Sequence, residues 1–217
     1  MDRSRAALIW RSVFSLVGWA ALALQYGLMI KGLPAAEVAV RTLHFFSFFT
    51  ILTNLLVAVA LTLPVIGAGS RLGIRAASEG VRAGVTMYAV VVGLVYHFLL
   101  HSTWNPQGWS YVANIALHYV MPAAILIDWL VFTAKGRLRW IDAGKWLAFP
   151  LIFGVWTLLH GAVSSWYPYW FIDAGDLGLG RTLINFGGLL LFFAVVGVIV
   201  VSIDRTLGRR DRAPVSP

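Results

Sequence analysis

From Thr182 to Ile203 the chain carries no charged side chain, and five other stretches come close to that: about 8–30, 43–66, 83–101, 112–133 and 145–163. Each approaches the ~20 apolar residues that a helix needs to cross ~30 Å of hydrocarbon. Breaks rich in Gly, Pro or charge separate them, such as Lys31-Gly32-Leu33-Pro34, Asn105-Pro106-Gln107-Gly108 and the Lys135/Arg137/Arg139 segment. Six runs of this kind leave too little polar surface for a water-facing fold. Of 217 residues, 59% are hydrophobic and 12% charged, whereas soluble domains carry roughly 25% charged residues. The pattern predicts an all-α integral membrane protein, a six-transmembrane-helix bundle forming one domain over 1–205, with a basic cytoplasmic tail at 206–217.

The net charge of +8 points to membrane topology rather than to nucleic acid. Basic residues collect on one side of the predicted spans: Arg3, Arg5 and Arg11, then Arg71, Arg75 and Arg82, then Lys135, Arg137, Arg139 and Lys145, and finally Arg205, Arg209, Arg210 and Arg212. The opposite side holds only Lys31, Arg41 and Arg181. An excess of Lys and Arg marks cytoplasmic segments, so both termini are expected in the cytoplasm. Arg3 and Arg5, the apolar run behind them and Ala20–Ala23 imitate a signal peptide. The run is long for one, and its removal would leave five spans with an inverted charge pattern. With no cysteine in the chain, disulfides, thiolate metal sites and a cysteine nucleophile are excluded.

Polar side chains inside a membrane span are costly and tend to mark function. Here they are His44, Ser47, Thr50, Thr53 and Asn54 on the second span, His97 and His101 on the third, Asn114, His118 and Asp128 on the fourth, and His160 on the fifth. All five histidines fall in the outer halves of their spans. Thr50 and His118 lie at similar depths, ~10 and ~9 Å below the outer ends at ~1.5 Å per residue. A hydroxyl level with an imidazole is the minimum for a nucleophile with a general base. Asn54 and Asn114, each four residues from one of the pair, are expected to orient the histidine or to stabilise an oxyanion. Ser47 extends the same polar stripe.

Other readings compete. Thr50 can bond its own backbone while Asn54 holds helices together. His97 and His101 have the i,i+4 spacing of a metal-binding face, and with His118 or His160 they would make a zinc site for a metal-dependent lipid hydrolase. Asp128 lies ~15 Å deeper than His118. It suits pairing with an arginine of an inner segment, or, in a non-enzymatic transporter or lipid-binding protein, a proton path shared with the histidines.

The run Phe45-Phe46-Ser47-Phe48-Phe49-Thr50-Ile51-Leu52-Thr53-Asn54-Leu55-Leu56 is followed by Leu117-His118-Tyr119-Val120-Met121-Pro122 with Ile127-Asp128-Trp129. Trp166-Tyr167-Pro168-Tyr169 with Phe171-Ile172-Asp173 comes last. In this order, over about residues 8–205, these segments resemble the androgen-induced/androgen-dependent TFPI-regulating protein family and its bacterial six-span relatives. The resemblance implies an intramembrane threonine hydrolase that cleaves fatty acid esters of hydroxy fatty acids and needs no cofactor. The family's histidine falls on His118. Its threonine falls on Thr50, four residues before Asn54, or on Thr53, one before it. The implied partner is a fatty-acid ester lipid whose tail lies among the phenylalanines of 45–49. The implied location is a bacterial inner membrane.

Overall fold

The computed structural model describes residues 3–210. It is 83% helical, and among the described residues no strand occurs. Six helices are long and apolar enough to cross a membrane: Ser4–Ile30, Phe49–Ile66, Glu79–Leu100, Trp109–Phe132, Trp140–Ser164 and Leu179–Arg209. The protein is an all-α, six-span integral membrane bundle. Residues 211–217 of the predicted tail lie outside the described residues, and 206–210 continue the last helix rather than leaving it.

In chain order the elements are α1 (Arg3–Ile30), α2 (Ala35–Phe45), α3 (Phe49–Ile66), α4 (Arg71–Ala77) and α5 (Glu79–Val95). After α5 come α6 (Trp109–Ile115), α7 (Met121–Phe132), α8 (Trp140–Trp146), α9 (Ala148–Ser164), α10 (Ala174–Leu177) and α11 (Leu179–Arg210). α5 is the most enclosed helix, packing on α3, α7, α8 and α11. Its Ala83, Met87, Ala89 and Val91 are buried. α1 covers the opposite side of α3 and α7. Leu16 on α1, Ile152 and Val163 on α9, and Ile184 and Leu191 on α11 stay exposed. In water such surface would be costly, and in a bilayer it faces lipid.

Three departures from regular helix shape the interior. The run expected to be helical from residue 43 is interrupted at Phe46–Phe48, where Phe48 is extended (φ −88°, ψ 128°). Ser47 therefore does not share a helical stripe with Thr50. Instead Ser47 Oγ donates to the Leu43 carbonyl at 2.8 Å and accepts from Trp156 Nε1 at 3.0 Å. α5 continues into a π-helical turn, Tyr96–Leu100, with the His101 N–H reaching the Tyr96 carbonyl at 2.8 Å. A second π-helical turn, Ala116–Val120, joins α6 to α7.

The second turn has a cause in the sequence. Pro122 follows His118 by four residues and has no N–H, so the His118 carbonyl loses its ordinary helical donor and the ladder widens. Gly93 of α5 lies against that carbonyl, which would sit 3.1 Å from a Cβ there. Glycine thus lets the widened turn approach α5.

At the end of the bundle where α1 begins and α11 finishes, Asp128 of α7 is fully buried and forms ion pairs with Arg82 of α5 and with Arg11 of α1, the latter at 2.8 Å. Arg82 also donates to the Ala60 carbonyl of α3 at 3.1 Å. The sequence counts Arg82 with a connecting segment, but the structure buries it completely in the bundle. Nearby, Asp204 of α11 accepts the N–H groups of Gly136 and Leu138 at 2.9 and 3.0 Å. This fixes the α7–α8 connection. Gly136 has a positive φ of 82° and packs directly on Gly208, a conformation and a contact that both favour glycine.

Candidate functional site

Thr50 occupies the first turn of α3, just past the break at Phe46–Phe48. That position leaves its N–H without a partner inside the helix, and the hydroxyl of Tyr169 accepts it at 3.3 Å. Thr50 Oγ1 lies 3.4 Å from the same hydroxyl and 3.4 Å from His118 Nε2. Both contacts are long for hydrogen bonds. Apo sites commonly show such spacing and close up around a substrate.

The histidine is oriented by its own helix. His118 Nδ1 stands 3.0 Å from the Asn114 carbonyl. A carbonyl can only accept, so Nδ1 carries the proton and Nε2 turns a lone pair toward Thr50. Tyr96 stacks on the imidazole, with ring centroids 4.0 Å apart and planes at 24°. Asn114 Nδ2 donates to the Tyr96 hydroxyl at 2.6 Å, which secures the stacking ring.

The side chains of the two asparagines bond elsewhere than to the imidazole. Asn54 Nδ2 donates to the Thr50 carbonyl at 2.9 Å and to the Leu117 carbonyl at 3.0 Å. It therefore ties α3 to the residue before His118. Asn114 orients His118 through its main-chain carbonyl, while its side chain serves Tyr96. Thr53 is fully buried, and its hydroxyl has no hydrogen-bond partner among the described residues.

A cavity of about 520 Å³ opens over Thr50, His118 and Tyr169, within the ~300–1,000 Å³ range of small-molecule sites. Phe45, Phe48, Ile51, Leu28, Met29 and Leu117 give it a greasy wall. Of the phenylalanines expected around a lipid tail, Phe45 and Phe48 line this cavity, whereas Phe46 is exposed. Phe49 instead lines a second, narrow cavity of about 50 Å³ that Thr50 and Tyr169 also border. Thr53 lines neither.

The remaining histidines are not gathered at this site. His97 bonds the Tyr119 hydroxyl at 3.1 Å and is exposed, as is His101. His160 packs instead with His44 (centroids 5.6 Å apart) and Trp166. Among the described residues, no three His, Asp or Glu side chains come together as metal ligands, so the His97/His101/His160 set is not assembled. Burial holds the pKa of His44, which lies outside the spanning helices, below the ordinary histidine value. His160 and Arg41 add to that lowering.

Sequence reasoning missed Tyr96 and Tyr169. Tyr169 belongs to an aromatic-rich turn whose composition suits a membrane interface, and nothing in that run marks one ring as turned inward. Burial raises the Tyr169 pKa, so its hydroxyl remains protonated at neutral pH. For the widened turn at 116–120 one sign is present, Pro122 four residues after His118; nothing in the sequence marks Tyr96.

Comparison of the chain with protein-family models, with curated proteins and with solved structures gave no match.

Proposed function

We propose that the protein is an intramembrane hydrolase of fatty-acid ester lipids, with Thr50 as nucleophile and His118 as general base. One observation carries the reading: an imidazole with its lone pair fixed by the Asn114 carbonyl faces a threonine hydroxyl at 3.4 Å, at the wall of a cavity of about 520 Å³.

The steps follow from that geometry. His118 Nε2 takes the Thr50 hydroxyl proton as Oγ1 bonds to the ester carbonyl carbon, and the carbonyl oxygen becomes an oxyanion. The protonated Tyr169 hydroxyl, already beside Thr50, is the donor placed to stabilise it. When the carbon–oxygen bond to the alcohol breaks, His118 returns the proton to the departing oxygen. Water then attacks the threonyl ester, giving a proton to His118; as the bond from the acyl carbon to Thr50 Oγ1 breaks, His118 returns that proton to Oγ1 and the fatty acid leaves. No cofactor enters, and the lipid reaches the site sideways from the bilayer. His118 must be neutral to act, so the rate falls on the acid side of its titration.

The resemblance to the threonine hydrolases adds support for the same pair and makes fatty acid esters of hydroxy fatty acids one substrate class to assay. With the N-terminus in the cytoplasm, the basic residues lie inside and the site faces the outer half of the membrane, which fits a bacterial inner membrane.

The test is hydrolysis of long-chain esters by purified protein, with Thr50→Ala and His118→Ala alongside. Cleavage by wild type and its loss in both folded variants supports the reading. An inert wild type across the panel, or full activity in Thr50→Ala, overturns it.

A further inference from the structure

The walls of the larger cavity differ in character around its rim. The greasy side comes from α1, α2, α3 and the turn before His118, whereas Gln25, Thr103, Trp104 and Ser110 contribute polar groups. Thr103, Trp104 and Ser110 come from the connection after α5 and the start of α6. Thr103 donates to the Leu100 carbonyl at 3.0 Å, which leaves its oxygen free to accept. The Gln25 amide and the Ser110 hydroxyl have no hydrogen-bond partner among the described residues.

None of the residues lining this cavity is charged. A carboxylate held at this rim finds no cation among the lining residues to offset its partial desolvation. Hydroxyl groups meet the opposite situation, because an amide, two hydroxyls and an indole N–H can exchange hydrogen bonds with them.

We infer that the cavity selects an ester with an uncharged, hydroxyl-bearing head, a partial acylglycerol, over one that carries a free carboxylate. Its acyl chain lies along Phe45, Phe48 and Leu28, and its free hydroxyls meet Gln25, Thr103 and Ser110. This rests on the hydrolase reading for the reaction, but the head-group preference is a property of the cavity and is measurable without turnover. It also separates this chain from what the family resemblance implies, since a fatty acid ester of a hydroxy fatty acid bears a free carboxylate.

The experiment uses the full-length protein in detergent and measures binding of three non-hydrolysable C18 probes: 1-O-octadecylglycerol, octadecanol and stearate at pH 8. The glyceryl ether is expected to bind about tenfold more tightly than either competitor, in keeping with two or three added hydrogen bonds. Gln25→Leu and Ser110→Ala, both at the rim, should each weaken the glyceryl ether several-fold while changing octadecanol by less than twofold. Stearate binding as tightly as the ether, or ether affinity unchanged in both variants, overturns the inference. Monooleoylglycerol and an oleoyl ester of a hydroxy fatty acid are assayed in parallel for release of oleate. Selective ether binding without hydrolysis would uphold the head-group preference and count against the Thr50 mechanism. Hydrolysis that favours the carboxylate ester would do the reverse.

Discussion

Two regions of this bundle bury polar side chains, and they do so in opposite ways. At one end Asp128 is held by Arg82 and Arg11, and Arg82 is further tied to the Ala60 carbonyl. Neither of the two cavities reaches these groups. At the other end His118 and Tyr169 each stand 3.4 Å from the Thr50 hydroxyl and face open space. The first arrangement uses all but the Arg82 Nε in holding α1, α3, α5 and α7 together, and that atom faces neither cavity. The second leaves a lone pair, a hydroxyl and a phenol available to a ligand. Burial of a polar residue in a membrane span therefore marks importance without saying of which kind; what remains unpaired, and whether it faces a cavity, makes the distinction.

The comparison can be broken by substitution, and the largest effect is expected at the Thr50–His118 end. Thr50→Ala and His118→Ala should each lower kcat/KM by about 10³-fold or more, ~4 kcal/mol of transition-state stabilisation, with little change in thermal stability. Retention of more than a tenth of the activity in either would remove the distinction. Asp128→Ala should do the converse. It strands two guanidinium groups in the bundle, a loss of about 3–5 kcal/mol in stability, while the folded fraction keeps its turnover per molecule. Denaturation in mild detergent, with activity normalised to folded protein, separates the two. A stable Asp128→Ala protein with no activity would move Asp128 into the mechanism.

Tyr169→Phe sharpens the comparison within the Thr50–His118 end. If the phenol supplies the oxyanion's hydrogen bond, its loss should cost about 10²-fold in kcat with KM little altered. A change confined to KM would make it a binding group. The smallest effect is expected at His44. Its folded-state pKa is lowered, so between that value and ~6.5 the unfolded chain binds more protons than the folded one. Stability should therefore fall as pH drops through that window, and His44→Asn should flatten the slope. A slope unchanged by the substitution would assign the acid sensitivity to other groups.

Much of this was legible in the sequence, because hydrocarbon imposes a simple rule. Apolar runs of spanning length gave six helices, and the rarity of polar residues within them drew attention to Thr50, Asn54, Asn114, His118 and Asp128. What escaped depends on direction rather than composition. The apolar run 43–66 reads as one helix, yet the chain breaks at Phe46–Phe48 without Gly or Pro, so Ser47 leaves the stripe and bonds Trp156. Asn114 acts through a carbonyl, which every residue has, so its side-chain chemistry was no guide. Tyr169 comes from a connection whose path into the bundle is set by packing of distant segments. Arg82 was counted by its charge with a loop, and its Asp128 partner, 46 residues away, keeps it inside.

The most direct measurement is the site of covalent capture by a long-chain alkyl fluorophosphonate, read by peptide mass spectrometry on the intact membrane protein. A hydroxyl activated by His118 should attack phosphorus and place the adduct on Thr50, with labelling lost in His118→Ala and untouched in Thr53→Val. No adduct on Thr50, or one carried by Thr53, would contradict the Thr50–His118 pair.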